Sequence, residues 1–66
     1  MKNLEAHITE SLEAAHAALT ELLDAETAKT PGERMIRSEA IGSARTAIAH
    51  LKSMKADAAR LAAYQS

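Results

Sequence analysis

The tetrapeptide Thr30-Pro31-Gly32-Glu33 lies near the middle of the 66-residue chain and contains its only proline. Its residue order is that of a helix start: threonine at the N-cap, proline at the first helical position, where no N–H is needed, and glutamate at the third. Proline also disfavours helical backbone at the residue before it. The motif therefore predicts that one helix ends near Lys29, that a turn occupies about residues 30–31, and that a second helix follows at once.

Apolar residues recur at helical spacing on both sides of this motif. In the first half they predict one face of a helix over about residues 3–29: Leu4, Ile8, Leu12, Ala15, Leu19, Leu22 and Leu23. In the second half they predict a longer face on a helix over about residues 31–63: Ile36, Ala40, Ala44, Ala47, Leu51, Met54, Ala58 and Leu61. Because the turn is short, we expect an all-α, antiparallel two-helix hairpin, with one long helix kinked at Pro31 as the alternative.

The size of the chain predicts self-association. A single domain of this length buries only about 60% of the surface that its unfolded form exposes. The chain has no cysteine, so a disulfide cannot compensate. Ile41 and Ile48 flank the second apolar face and widen it beyond what one partner helix covers. We therefore expect a single hairpin domain, residues 1–66, that assembles into a homo-oligomer, either a dimer or a larger helical bundle.

The sequence also predicts a cytoplasmic protein with no membrane partner. No stretch approaches the roughly 20 apolar residues that a membrane span needs. Glu5, Glu10 and Glu13 stand where a signal peptide would have its apolar core.

The sequence has no motif for catalysis, for a cofactor or for a metal. Gly32 and Gly42 stand alone, so they form no phosphate-binding loop, and the serines lack a nucleophile signature. His7 and His16 are nine residues apart, which places them on opposite faces of a helix. We expect a protein that is not an enzyme. Gly42 costs a helix about 1 kcal/mol relative to alanine, which indicates close approach of another helix or of a ligand.

The two halves of the chain differ in charge, although the net charge is only −1. Residues 1–29 hold two basic and six acidic residues, a net of −4, and residues 30–66 hold six basic and three acidic residues, a net of +3. The six basic residues of the second half fall within an arc of about 140° on a helix: Arg34, Arg37, Arg45, Lys52, Lys55 and Arg60. Such a stripe could bind phosphates, or it could pair with the acidic helix of its own or a neighbouring subunit.

Nucleic acid is disfavoured as a partner. Modules that bind double-stranded nucleic acid are usually strongly basic, and this chain is slightly acidic. Tyr64 is the only aromatic residue of the Phe, Trp and Tyr set, which leaves little for stacking against unpaired bases.

The segment ERMIRSEAIGSARTAIAHLKSM, residues 33–54, resembles the second helix of the phage-encoded anti-CBASS cyclic-nucleotide sponges, a family of helical hairpins. That helix carries an arginine near its start, an Ala-Ile run, and Arg-Thr followed two residues later by Ile or Leu. The matching positions here are Arg34 or Arg37, then Ala40-Ile41, then Arg45-Thr46 followed by Ile48.

The resemblance implies a small oligomer that binds cyclic oligonucleotide signals of bacterial immunity, within the bacterial host's cytoplasm, and withholds them without cleaving them. Arg45 and Thr46 would contact phosphate oxygens, a role that the fixed fork of an arginine suits. The nearby basic residues Arg34, Arg37 and Lys52 would complete the phosphate site. Family members carry aromatic residues in or before this helix, and Tyr64 is the residue here that could contact a base.

Overall fold

The computed structural model describes residues 3–65, with only the backbone at Ala25. Two α-helices lie antiparallel: α1, Leu4–Leu23, and α2, Pro31–Gln65, with a short 3-10 helix, Ala25–Thr27, between them. No strand occurs within this range. The molecule is a rod of 53 × 14 × 12 Å. The prediction of an all-α hairpin is confirmed, and a single kinked helix is not what forms, because α1 packs along α2.

The start of α2 follows from the central motif. The backbone N–H of Glu33 donates to Thr30 Oγ1 at 3.2 Å, and the N–H of Arg34 donates to the Thr30 carbonyl at 2.9 Å. The Thr30 side chain therefore satisfies one of the backbone donors that the start of a helix leaves unpaired, and its carbonyl accepts the first regular bond of the helix. From Pro31 the helix continues without interruption for 35 residues, which is about 52 Å.

The end of α1 lies earlier than the sequence predicts, at Leu23 instead of near Lys29. The backbone turns extended at Asp24, whose side chain accepts from the N–H of Glu26 at 3.0 Å. Thr27 Oγ1 donates to the Glu21 carbonyl at 2.6 Å. Aspartate and threonine side chains that bond to nearby backbone compete with the helix, and here they end it. The connection is therefore residues 24–30, instead of a turn at 30–31.

The packed face of α1 agrees with the predicted spacing. Ile8 is buried, and the other residues of that face are half-buried: Leu4, Leu12, Ala15, Leu19 and Leu22. Leu23 is the exception, because it lies at the end of the helix with about half of its surface exposed.

The face that α2 turns to α1 contains half of the predicted one, because Ala40, Ala44 and Leu51 are half-buried and Ala58 is buried. Ile48, predicted to flank the apolar face, is 7% exposed and belongs to the core, and Ile41 is half-buried beside it. By contrast, Ile36 is 68% exposed and Met54 48% exposed. A buried isoleucine removes more apolar surface from water than a buried alanine. The helix is accordingly rotated so that Ile41 and Ile48 pack together with the alanines of the predicted face, while Ile36 and Met54 stay exposed.

The core of the hairpin is small. Among the described residues, those with almost no exposed surface are Ile8, Ala28, Ile48 and Ala58, and none is polar. Ala28 comes from the connection between the two helices. The two helices form a single layer, so the side of α2 that faces away from α1 has nothing packed on it.

Candidate functional site

Three residues form the basic side of α2, a name used here for Arg45, Lys52 and Lys55. All three are exposed, and their spacing of seven and three residues places them on neighbouring lines along the helix. The ion pairs found within residues 3–65 are Lys29–Glu26 at 3.8 Å and Arg60–Asp57 at 2.7 Å. Each joins residues three apart in the sequence, so neither connects α1 to α2. The basic side is therefore not neutralised by the acidic helix of its own chain.

Arg34 and Arg37, predicted to belong to a phosphate site, each donate a hydrogen bond to a carbonyl of the connection. Arg34 Nη1 donates to the Lys29 carbonyl at 3.1 Å, and Arg37 Nη1 donates to the Asp24 carbonyl at 3.3 Å. Arg37 is half-buried, and its Nε is buried without a hydrogen-bond partner. Carbonyls that follow a helix C-terminus favour cationic donors. Both guanidinium groups have a structural task, which leaves Arg45 and Lys52 as the predicted phosphate contacts not engaged in this way.

The hydroxyl group of Thr46 already donates a hydrogen bond within α2. Its Oγ1 donates to the Gly42 carbonyl one turn earlier, at 3.0 Å, a bond that serine and threonine often make within helices. A phosphate oxygen would have to replace this carbonyl as the acceptor. Because Arg45 and Thr46 are consecutive, their side chains point about 100° apart around α2.

An open groove of about 670 Å³ runs along α2 on the side of Thr46. Its lining is dominated by small side chains: Ser38, Glu39, Gly42, Ser43, Thr46, Ala47 and His50. No lysine or arginine belongs to this lining, and Glu39 contributes a carboxylate. The groove was not predicted, although small residues one turn apart, such as Ser43 and Ala47, were a signal for it.

Gly42 makes no close approach to α1. A Cβ atom placed on it would meet no heavy atom within 4 Å outside its own local helix. The helix-to-helix contact that the sequence suggested for this glycine is therefore not made inside the hairpin.

Tyr64 lies far from Arg45 within one chain. It is 92% exposed in the last turn of α2, and its separation of 19 positions from Arg45 corresponds to about 28 Å of helix. The residue predicted to contact a base could meet Arg45 only if it came from another subunit.

The histidines do not form a metal centre in the part of the chain that the structure describes. His7 and His16 are exposed on α1, and His50 lines the groove on α2. No group of three or more potential metal ligands among His, Cys, Asp and Glu is present in residues 3–65. Within the same range, neither helix is long and apolar enough to cross a membrane.

Comparison with known proteins gives no match to a family model, to a curated protein or to a solved structure.

Proposed function

We propose that this chain is an oligomeric, non-catalytic module of the cytoplasm that binds a small phosphorylated signal, such as a cyclic oligonucleotide, and withholds it from its receptors. The observation that supports the proposal is the basic side of α2, where Arg45, Lys52 and Lys55 are exposed without an acidic partner in residues 3–65. Unneutralised cations on a rigid helix attract anions and hold them in a defined position.

Arg45 is the principal phosphate contact in this proposal. Its guanidinium can donate two parallel hydrogen bonds to one phosphate, and Lys52 lies two turns further along the same line of the helix. Thr46 assists if its hydroxyl turns from the Gly42 carbonyl toward the ligand. The convex side of a single helix cannot enclose a cyclic oligonucleotide, so we place the site between subunits. There, Tyr64 of another copy could reach a base.

The proposal is tested by calorimetry with cyclic di- and trinucleotides. We expect the wild-type chain to bind at least one of them, and Arg45→Ala to weaken binding by about tenfold or more, because a hydrogen bond to a charged group contributes roughly 1.5–3 kcal/mol. Arg60→Ala is the matched control, since Arg60 is paired with Asp57 at 2.7 Å, and it should retain the affinity. Absence of both heat and thermal shift across the series would overturn the proposal.

A second candidate is an interaction protein that binds no small ligand and whose outer surface recognises a protein or a structured RNA. The observation that favours it is the exposure of large apolar residues on α2, including Ile36 and Met54. Arg45→Ala distinguishes the two. Loss of assembly without any ligand effect supports the interaction protein, and intact assembly with lost ligand binding supports the first proposal.

A further inference from the structure

One side of α2 carries exposed apolar and small residues at coiled-coil spacing. We name it the apolar stripe, and it consists of Ile36, Ser43, Ala47, Met54 and Leu61, all exposed. Steps of seven, four, seven and seven residues follow a heptad seam, whose intermediate positions here are half-buried Ala40 and exposed His50 and Asp57. Such a seam normally faces another helix, and α1 already occupies a different side of α2, where Ile48 is buried.

The stripe continues onto α1 at both ends of the hairpin. At the open end, Met54 and Leu61 share a groove of about 180 Å³ with Leu4 and Ile8 of α1. At the end nearer the connection, Ile36 shares a groove of about 220 Å³ with Leu22. The exposed apolar surface is therefore a face of the whole hairpin, and not of one helix alone.

We propose that a second copy of this chain covers this face, with the two α2 helices antiparallel about a two-fold axis. In this arrangement Ile36 of each copy lies opposite Leu61 of the other, and Met54 lies opposite Ser43. The inference specifies the face used for the self-association proposed above, and it does not depend on the phosphorylated ligand.

The side chains along the stripe complement each other under this symmetry. In a two-fold interface, if one residue meets a second, the second also meets the first on the other side. Pairing Ile36 with Leu61 therefore fixes the register and brings Met54 to Ser43, beside the groove of small residues that includes Thr46 and Ala47. A large side chain in a hole lined by small ones is the packing that helix interfaces favour.

The face is large enough for a stable contact. From Ile36 to Leu61 the stripe is about 38 Å long, and the hairpin is 14 Å across. Each copy would then bury roughly 500 Å², or about 1,000 Å² in total, which is near the lower limit for a specific interface. The net charge of −1 adds little repulsion between copies. The basic side of α2 faces away from this interface, since Arg45 lies about 180° around the helix from Ile36, so a ligand held between subunits would lie where two such dimers meet.

Cysteine cross-linking tests whether the apolar stripe forms the interface and whether the two α2 helices are antiparallel. It is feasible because the chain has no native cysteine. We expect a mixture of the Ile36→Cys and Leu61→Cys variants to form a covalent dimer with a short bifunctional maleimide. Each variant alone should form little, since identical positions would be about 38 Å apart along the helices. Self-linking of each variant would indicate a parallel pair, and no linking in the mixture would indicate another face. Either result overturns the proposal.

Light scattering on two methionine variants provides the second test. Met54→Glu places a charge in the apolar stripe, whereas Met35→Glu changes a more exposed methionine, 67% against 48%, that points about 100° from Ile36. We expect the wild type and Met35→Glu to have at least twice the 7.0 kDa mass of one chain, and Met54→Glu to have a lower mass. If Met54→Glu loses its helical circular dichroism signal, the cross-linking experiment alone decides whether the apolar stripe forms the dimer.

A monomeric wild type, or equal masses for the two variants when both are helical, overturns this inference. Such a result would not decide the ligand proposal, which the calorimetric experiment tests separately. Conversely, a cross-linked dimer that binds no cyclic nucleotide would overturn the ligand proposal and support the interface.

Discussion

At the scale of the residue, Arg37 holds the connection with one nitrogen and leaves another without a partner. Its Nη1 donates to the Asp24 carbonyl at 3.3 Å, while its Nε is buried and unpaired. An unpaired buried donor costs about 1–3 kcal/mol, which offsets the roughly 1 kcal/mol that the hydrogen bond contributes. The net contribution of this side chain to stability should therefore come mainly from its aliphatic stem.

Two substitutions of Arg37 separate the contribution of its aliphatic stem from that of its guanidinium group. We expect Arg37→Met, which keeps an apolar stem, to change the free energy of unfolding by less than about 0.5 kcal/mol. Arg37→Ala, which also removes the packing of the stem, should lower it by about 1–2 kcal/mol. Urea unfolding followed by circular dichroism measures both. An equal loss in the two variants would instead assign the stability to the hydrogen bond.

Thr30 is the residue whose side chain determines where α2 begins. Its Oγ1 accepts from the Glu33 N–H, so Thr30→Ala should lower stability by about 1 kcal/mol, or roughly 4–8 °C in Tm for a chain of this size. Thr30→Ser keeps the acceptor and should stay close to the wild type. Thermal unfolding at one fixed protein concentration makes the comparison, and a serine variant as unstable as the alanine variant would contradict the role of the cap.

Replacement of Gly42 should raise the stability of the hairpin, whereas the replacement of Thr30 by alanine should lower it. Because a Cβ there meets nothing within 4 Å, Gly42→Ala should raise the free energy of unfolding by up to about 1 kcal/mol through helix propensity alone. Thermal unfolding measures the change. A loss of stability would show that another molecule packs against this position.

At the scale of the element, the acidic and basic helices do not pair within the hairpin. No ion pair in the described part of the chain connects α1 to α2. Arg45→Ala and Lys52→Ala should therefore each leave the free energy of unfolding within about 0.5 kcal/mol of the wild type, and unfolding should depend little on salt. Chemical unfolding at low and high salt checks this. A clear loss in low salt that disappears in high salt would indicate pairing with the acidic helix, within the chain or between copies.

The sequence predicts a helix boundary correctly where the residue pattern there is compatible with only one local structure. The threonine, proline and glutamate order predicted the start of α2 because each of these residues suits a different position in a first turn. The end of α1 was missed because the sequence does not show whether Asp24 and Thr27 continue the helix or bond to nearby backbone, as they do here. The rotation of α2 was missed because its apolar residues surround more than one face, and burial of Ile48 selects among them.

The candidate site was less predictable for a related reason. The sequence placed six basic residues on one stripe, but it did not show that Arg34 and Arg37 lie within reach of the carbonyls of Lys29 and Asp24. Those bonds need the extended connection, which the sequence did not predict. Arg45 and Lys52 remain exposed because neither α1 nor the connection approaches that side of α2.

At the scale of the whole molecule, the stability of a thin rod with a small core should depend on the protein concentration. A chain of this size is marginal as a monomer, and an association that involves only folded chains stabilises them by mass action. We expect the Tm to rise by several degrees when the protein concentration is raised a hundredfold. Calorimetry or circular dichroism over that range measures the shift, and a constant Tm would mean that the folded hairpin is stable alone.

The early end of α1 determines how the molecule should respond to a protease. Residues 24–30 lie outside both α-helices, with Lys29 exposed among them, so trypsin should cut after Lys29 before it cuts the basic residues within α2. Each fragment would keep one complete α-helix, since the cut falls between them. The nicked halves should therefore stay associated under native conditions and separate only in denaturant, so that two synthetic peptides could rebuild the hairpin.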